Sequence, residues 1–174
     1  MERTMNTPTT LRYAIGTSAL SQVLVAAASG RGICALLLGD QADALREELA
    51  AAFPDAVLTR DDAALATQLA RAIALADAPS SNFDGTLDIG GTPFQRRVWQ
   101  ALRDIPAGST TTYTEVAQRI GQPNAVRAVA SACAANVLAI AIPCHRVVRT
   151  DGGLAGYRWG VARKRALLDM EHHA

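Results

Sequence analysis

Residues 114–148 read TEVAQRIGQPNAVRAVASACAANVLAIAIPCHRVV, and the division of this stretch decides the architecture of the chain. Its first part has apolar residues at helical spacing and predicts a short helix over 114–120. Gly121-Gln122-Pro123 interrupts that helix, and a second is expected over 124–135, with Pro123 suited to its first turn, where a missing N–H costs little. A helix, a glycine-bearing turn and a second helix form the outline of a helix-turn-helix, which an ordinary αα-corner shares. The second helix is built almost entirely of small residues, with one long cation, Arg127. Such a helix suits close packing in a core. It equally suits lying flush in a narrow DNA groove, with Arg127 projecting and Ala128 and Ser131 on the same smooth surface. Both readings stand, because a helix has two faces.

After the second helix comes an apolar run, 137–142, that reads as a strand and leads into Pro143-Cys144-His145-Arg146-Val147-Val148. A cysteine in an apolar stretch is ordinarily inert filling. Here a histidine adjoins it to take the thiol proton, an arginine favours thiolate, and a proline restrains the turn that presents the sulfur. In extended chain adjacent side chains point to opposite sides, so a water between Cys144 and His145 is the expected link. His145 then needs a third group to hold its other nitrogen.

Upstream, the pattern is helical from Pro93, with Phe94, Val98, Trp99 and Leu102 on one face, until Pro106-Ala107-Gly108 breaks it. The first half reads as short strands at 12–16, 22–27 and 33–38, a small antiparallel sheet, followed by two helices. Asp40 is the expected cap of the first, with Leu45, Leu49 and Phe53 on its face and Pro54 closing it. The second follows Asp61-Asp62 and carries Leu65, Leu69 and Ile73. Turn formers fill 78–90, so the boundary falls there, between an N-terminal unit at 1–90 and a C-terminal unit at 91–174.

The 174 residues are 49% hydrophobic and 19% charged, which excludes collagen, coiled-coil rods and disordered tails. No apolar run is long enough to span a membrane, and Met1-Glu2-Arg3-Thr4 is followed by no secretory leader pattern. Cys34, Cys133 and Cys144 form no close pair, which fits a reducing, cytoplasmic setting. Net charge is +1, but unevenly placed. Residues 1–90 carry six Lys or Arg against eleven Asp or Glu, while 91–174 carry eleven against five, so the second half is the candidate polyanion-binding half.

Pro143-Cys144-His145-Arg146-Val147 resembles the active-site motif of the O6-alkylguanine-DNA alkyltransferases, also called methylated-DNA-protein-cysteine methyltransferases. The likeness extends to Gly91-Thr92-Pro93-Phe94-Gln95, Val98-Trp99, Ile105-Pro106-Ala107-Gly108, Tyr113, Ile120-Gly121-Gln122-Pro123, Arg127-Ala128-Val129, Asn136, Gly156-Tyr157 and Lys164. It covers residues 91–171, and 125–148 resembles especially the C-terminal domain of the bacterial adaptive-response protein Ada.

The resemblance implies a ribonuclease-H-like α/β N-terminal domain and a mainly helical C-terminal domain with a helix-turn-helix. It implies repair of double-stranded DNA by a monomer that uses no cofactor. In this reading Cys144 takes the alkyl group from O6 of guanine, or O4 of thymine, and keeps it as a thioether. His145 is similar to the family's water-linked base, Glu171 to the acid that orients it, and Asn136 to the asparagine that braces the turn before the cysteine. Tyr113 matches the phenol that contacts the flipped nucleotide, and Arg127 the arginine that replaces the extruded base. Val147, Tyr157, Arg158 and Trp159 fall on the pocket wall, where the Trp159 indole is expected to exclude bulky adducts.

The N-terminal zinc site of some relatives is not expected, because Cys34 is the only cysteine in the first half and all three histidines lie at 145, 172 and 173. The cysteine-rich sensor segment of full-length Ada has no counterpart, so the expectation is repair alone. Two rival classes share parts of the pattern. A cysteine hydrolase would use the Cys/His pair with turnover, and a non-catalytic DNA-binding regulator would use the helix-turn-helix with Cys144 as packing.

Overall fold

The computed structural model describes residues 9–154 and 156–174. The first half builds a four-stranded sheet in the order β3-β2-β1-β4 from β1 (Thr10–Thr17), β2 (Gln22–Ala28), β3 (Ile33–Gly39) and β4 (Val57–Arg60). β1 pairs antiparallel with β2, and β2 antiparallel with β3. β4 runs parallel to β1, so the sheet is mixed rather than antiparallel. Sequence reading passed over β4 because its four residues are mostly exposed and show no apolar alternation, as suits a short edge strand. β2 and β3 are buried along most of their length. This is the pattern of strands covered on both faces.

The helices α1 (Ala42–Ala52) and α2 (Ala66–Asp77) pack on this sheet. Leu45 and Leu49 of α1 are buried, and the chain turns out of the helix at Phe53 before Pro54. Asp40, expected to cap α1, does not: Gln41 holds that position without a side-chain cap bond. The Asp40 carboxylate is instead taken by Arg163, whose Nη2 donates to it at 2.6 Å. Below α2, Leu69 and Ile73 approach β1 so closely that a Cβ on Gly16 would stand 2.8 Å from Ile73 Cδ1. Only glycine fits there without displacement.

The outer edge of β3 is covered by the second half of the chain. Leu36 N donates to Val137 O at 2.8 Å and Ala139 N to Leu36 O at 2.9 Å, while Ile33 exchanges bonds with Thr86 and Asp88 of the turn-rich connection. A strand edge that would otherwise template pairing with another chain is thereby satisfied.

Helix α3 (Pro93–Arg103) opens with a capping box, Thr92 with Gln95, and a proline at its first position. Val98, Trp99 and Leu102 are buried and Phe94 is half-buried, as the periodicity predicts. Trp99 Nε1 donates to Ala132 O at 2.9 Å, locking α3 to the helix that follows. Gly91 has φ +89° and its missing Cβ makes room for the Trp99 ring, 2.6 Å from where that atom would sit.

Two short parallel strands, β5 (Thr111–Thr112) and β6 (Val147–Val148), bracket α4 (Tyr113–Arg119) and α5 (Val126–Ala135). The second helix starts later than expected: Ala125 is its cap residue, and Pro123 lies in the turn rather than in the first helical turn. That turn closes through Gln122 N to Ala117 O and Ala125 N to Gln122 O. The run 137–142 is not a continuous strand, although Leu138 bridges in parallel to Leu36 of β3. It is a tight irregular loop with Ala141 N bonded to Ala139 O and Ile142 N to Leu138 O, and Ile140 has φ +67°. A β-branched residue in that region is strained. The last helix, α6 (Val161–His172), buries Lys164, Leu167 and Glu171 on one stripe.

Candidate active site

Cys144 opens a 3-10 turn, Cys144–Arg146, and is 4% exposed. The turn exists because Asn136, the cap residue just after α5, ties down the strained loop before it. Asn136 Oδ1 accepts from Leu138 N at 2.9 Å, and its Nδ2 donates to Ile142 O at 3.0 Å and to Cys144 Sγ at 3.4 Å. The amide thus fixes both the loop and the sulfur. Burial pushes the Cys144 thiol up from its ordinary pKa, opposed by the Asn136 bond and by the charges of Lys164 and Arg158.

His145 is fully buried beneath the cysteine. Its Nε2 lies 2.7 Å from Glu171 Oε1 on α6. Burial lowers the histidine pKa below 6.5 against the pull of Glu171, so the ring is neutral at pH 7. Facing a carboxylate, Nε2 carries the hydrogen and Nδ1 is the acceptor, with no hydrogen-bond partner among the described residues. Glu171 is the third group that the histidine required. Burial alone would raise its carboxyl, but bonds from His145 and Arg146 outweigh that and hold it at about 2.

Arg146 does not serve the sulfur, contrary to expectation. Its Nη2 donates to Glu171 Oε1 at 2.7 Å and its Nε to the same carboxylate at 3.1 Å. Nη1 reaches Ile105 O at 2.8 Å and Nη2 also reaches Pro79 O at 3.2 Å. The 3-10 turn sends it away from Cys144, where extended chain would have left it on the same side. The cations that bear on the sulfur are Lys164 and Arg158.

Cys144 forms part of the wall of a cavity of about 590 Å³, together with Tyr113, Val126, Arg127, Ala130, Cys133, Ala134, Arg149, Gly156, Tyr157 and Arg158. Tyr113 is half-buried, and burial, followed by the charges of Cys133 and Cys144, pushes its phenol up to about 12. It is therefore protonated at neutral pH and able to donate. Arg127, Ala128, Ala130, Ser131 and Ala134 form the exposed face of α5, while Val129, Ala132 and Cys133 form the buried one. Core packing and an open small-residue surface coexist on this helix.

Two expected wall residues do not line the cavity. Val147 is fully buried in β6, opposite Thr111. Trp159 is 4% exposed and stands behind Tyr157, edge to face at 5.3 Å, because Gly160 turns the chain into α6 and carries the indole inward. Lys164, noted in the sequence without a role, is the residue that reading missed. It is fully buried, donates to Gly156 O at 3.3 Å and lies 6.0 Å over the Tyr113 ring. Its spacing to Leu167 and Glu171, two charges on the apolar stripe of a helix, was the available signal.

The model of the family described as "6-O-methylguanine DNA methyltransferase, DNA binding domain" matches residues 93–173. The chain is 41% identical to the inducible methylated-DNA–protein-cysteine methyltransferase of Bacillus subtilis over 70% of its own length and 68% of that protein's. It belongs to the methylated-DNA–protein-cysteine methyltransferase family. Among other relatives, the bifunctional transcriptional activator/DNA repair enzyme Ada of Escherichia coli is 53% identical over 92% of this chain and 45% of Ada. The chain spans about half the length of the first curated relatives it matches. In structure it is similar to Mycobacterium tuberculosis OGT solved in complex with DNA, with a TM-score of 0.73, 36% identity and 93% coverage of both chains. The methyltransferase likeness therefore covers the sheet and helices of the first half as well as the cysteine site.

Proposed function

We propose that this chain repairs alkylated double-stranded DNA by moving the alkyl group from O6 of guanine, or O4 of thymine, onto Cys144. The observation that carries this reading is a cysteine held by Asn136 on a cavity wall, above a buried His145–Glu171–Arg146 chain. The relatives' names, the DNA-bound relative and the DNA-binding family model support it.

In the reaction the Cys144 sulfur attacks the alkyl carbon and a C–S bond forms. The C–O6 bond breaks and its electron pair stays with guanine. The thiol proton passes through one water to His145 Nδ1, whose charge is stabilised by Glu171. Guanine leaves with a proton from the Tyr113 phenol, which His145 restores, so the net change is transfer of one proton and one alkyl group. Asn136 orients the sulfur, and Tyr113, Cys133 and Tyr157 line the cavity in which it meets the alkyl carbon. Nothing in the site removes a thioether, so each molecule acts once.

The damaged base must leave the duplex, at a cost of roughly a few kcal/mol. The pair α4 and α5 acts as a helix-turn-helix, with the small-residue face of α5 against the minor groove and Arg127 in the vacated stack. Arg127, Ala128, Ser131 and Tyr113 make these contacts, and Tyr157 and Arg158 wall the base pocket. The first-half sheet is a ribonuclease-H-like unit, joined near 78–90 to the transfer unit at 91–174. The protein works as a monomer in the cytoplasm, a setting consistent with its three free cysteines.

The test is to incubate the protein with a duplex carrying O6-methylguanine and weigh it intact. A gain of one methyl group, mapped to Cys144, is expected. Catalytic turnover without a mass gain would favour a hydrolase. Tight binding without either would favour a regulator.

A further inference from the structure

The wall of the cavity is held from outside the site. Arg158 lines the same cavity as Cys144, and its Nε donates to Glu48 Oε1 at 2.8 Å, from a helix 110 residues away in sequence. Its Nη1 donates to Ala134 O in the last turn of α5 at 3.1 Å. One guanidinium therefore joins α1, α5 and the segment 156–160. Both side chains of the ion pair are 24% exposed, which leaves the pair only partly screened by water.

Within the segment Gly160 N donates to Tyr157 O, and α6 holds it from one side through Lys164 Nζ to Gly156 O and Arg163 Nη1 to Trp159 O. Gly156 has φ +68° and Gly160 φ +98°, and neither meets a neighbour where a Cβ would be. Glycine joints at both ends make the course of Tyr157 and Arg158 depend on these bonds and on side-chain contacts, and among the described residues the Arg158 pair is the one that ties residues 156–160 to α1. A second tie from the same region points the same way, because Arg163 at the start of α6 donates to Asp40, just before α1, at 2.6 Å. Both ion pairs join α1, or the residues just before it, to the chain at 158–163.

We propose that Glu48 is a positioning residue: by fixing Arg158 it holds the segment 156–160, and with it the Tyr157 wall, at the distance from Cys144 that alkyl transfer requires. This rests on the transfer reaction proposed above. Glu48 touches neither sulfur nor substrate. It acts through Arg158 alone, whose charge also helps draw the Cys144 thiol down.

The experiment compares wild type, Glu48→Gln, Glu48→Asp, Arg158→Ala and the double variant Glu48→Gln/Arg158→Ala. Single-turnover transfer from an O6-methylguanine duplex is measured at saturating DNA, together with DNA affinity, melting temperature and hydrogen exchange at 156–160. Glu48→Gln is expected to slow transfer about threefold to tenfold and to speed exchange at 156–160. Affinity, melting temperature and exchange in β2 and β3 should stay unchanged. Glu48→Asp should recover most of the rate, and the double variant should be no slower than Arg158→Ala. Wild-type transfer by Glu48→Gln, multiplied effects in the double variant, or a melting temperature that falls in step with the rate would each overturn the proposal. If the wild type takes no methyl group, the transfer reading itself falls. In that case unchanged exchange in Glu48→Gln overturns the clamp as well, and faster exchange supports it.

Discussion

Cys144, His145 and Glu171 have different protonation demands, and each demand yields a measurement. With its thiol raised by burial, Cys144 needs a base at neutral pH, and it alone faces both the cavity and the Asn136 amide. Cys144→Ser is therefore expected to abolish methyl uptake while still binding DNA, and Cys34→Ser and Cys133→Ser to remain active, as read by peptide mapping after reaction with a methylated duplex. Methyl found on Cys133 would refute this, and the test is sharp because Cys133 lines the same cavity. For stability against pH the signs agree. His145 is depressed below 6.5, so the unfolded chain takes up its proton first and stability falls as pH drops below that value. Glu171, held at about 2 against an ordinary 4.5, adds stability that is present above 4.5 and lost as pH falls towards 2. Glu171→Gln should remove the lower phase from a denaturation series and cost about 3–5 kcal/mol at neutral pH, because it strands the Arg146 charge. Trp159→Gly should also cost about 3–5 kcal/mol, since the indole is packed behind Tyr157 and away from the cavity. A thermal shift of only a degree or two would show that it carries little packing.

Helix α5 shows how much of an element a sequence can disclose. Its run of small residues allowed either a packed helix or a groove-lying one, and the structure shows a packed face, Val129, Ala132 and Cys133, and an exposed face, Arg127, Ala128 and Ser131. α3 was legible from Pro93 and the apolar stripe at 3.6-residue spacing, and the capping box that the structure adds agrees with both. The run 137–142 was misread for a physical reason: six apolar residues have the composition of a buried strand, but Asn136 captures their backbone groups and folds them into a loop. That capture depends on a side-chain bond six residues along the chain, which no periodicity records. The course of Arg146 was hidden too, because its expected effect on the thiol was judged from nearness in sequence, whereas the 3-10 turn sends it to Glu171. β4 and the Asp40 bond to Arg163 are tertiary choices, each made by a partner far away in sequence. For α5 the expected outcome is specific: Arg127→Ala should slow repair in a duplex about tenfold or more, and leave attack on the free O6-methylguanine base nearly unchanged. Arg127 is exposed and paired with no described residue, so its loss should leave the fold intact. Equal slowing on both substrates would show that it acts on chemistry rather than on the base stack.

At the scale of the whole molecule, charge is segregated where the fold needs it. The acidic first half carries −5 and the second half +6, and two of the cross-links between them, Glu48 with Arg158 and Asp40 with Arg163, are ion pairs. Several arginines of the second half remain outside any pair among the described residues, including Arg127 and Arg149 at the cavity and Arg97, Arg119 and Arg165 elsewhere. Cations free of internal partners are available to phosphates, and binding them releases counterions from the duplex. Affinity for unmodified duplex DNA should therefore fall steeply with salt, with a slope of log K against log salt of about −0.9 for each phosphate neutralised. Because the exposed face of α5 offers small side chains and one arginine rather than a row of base-reading groups, affinities for duplexes of different sequence should agree within a few-fold. The measurement is a titration of three unrelated duplexes across a salt series, repeated with Arg149→Ala, which should lower the slope by about one on every sequence alike. A flat salt response would remove the electrostatic basis for DNA binding. A strong preference for one duplex would mean that α5 reads bases, and the protein would then act as a regulator at chosen sites rather than as a repair protein that searches all of them.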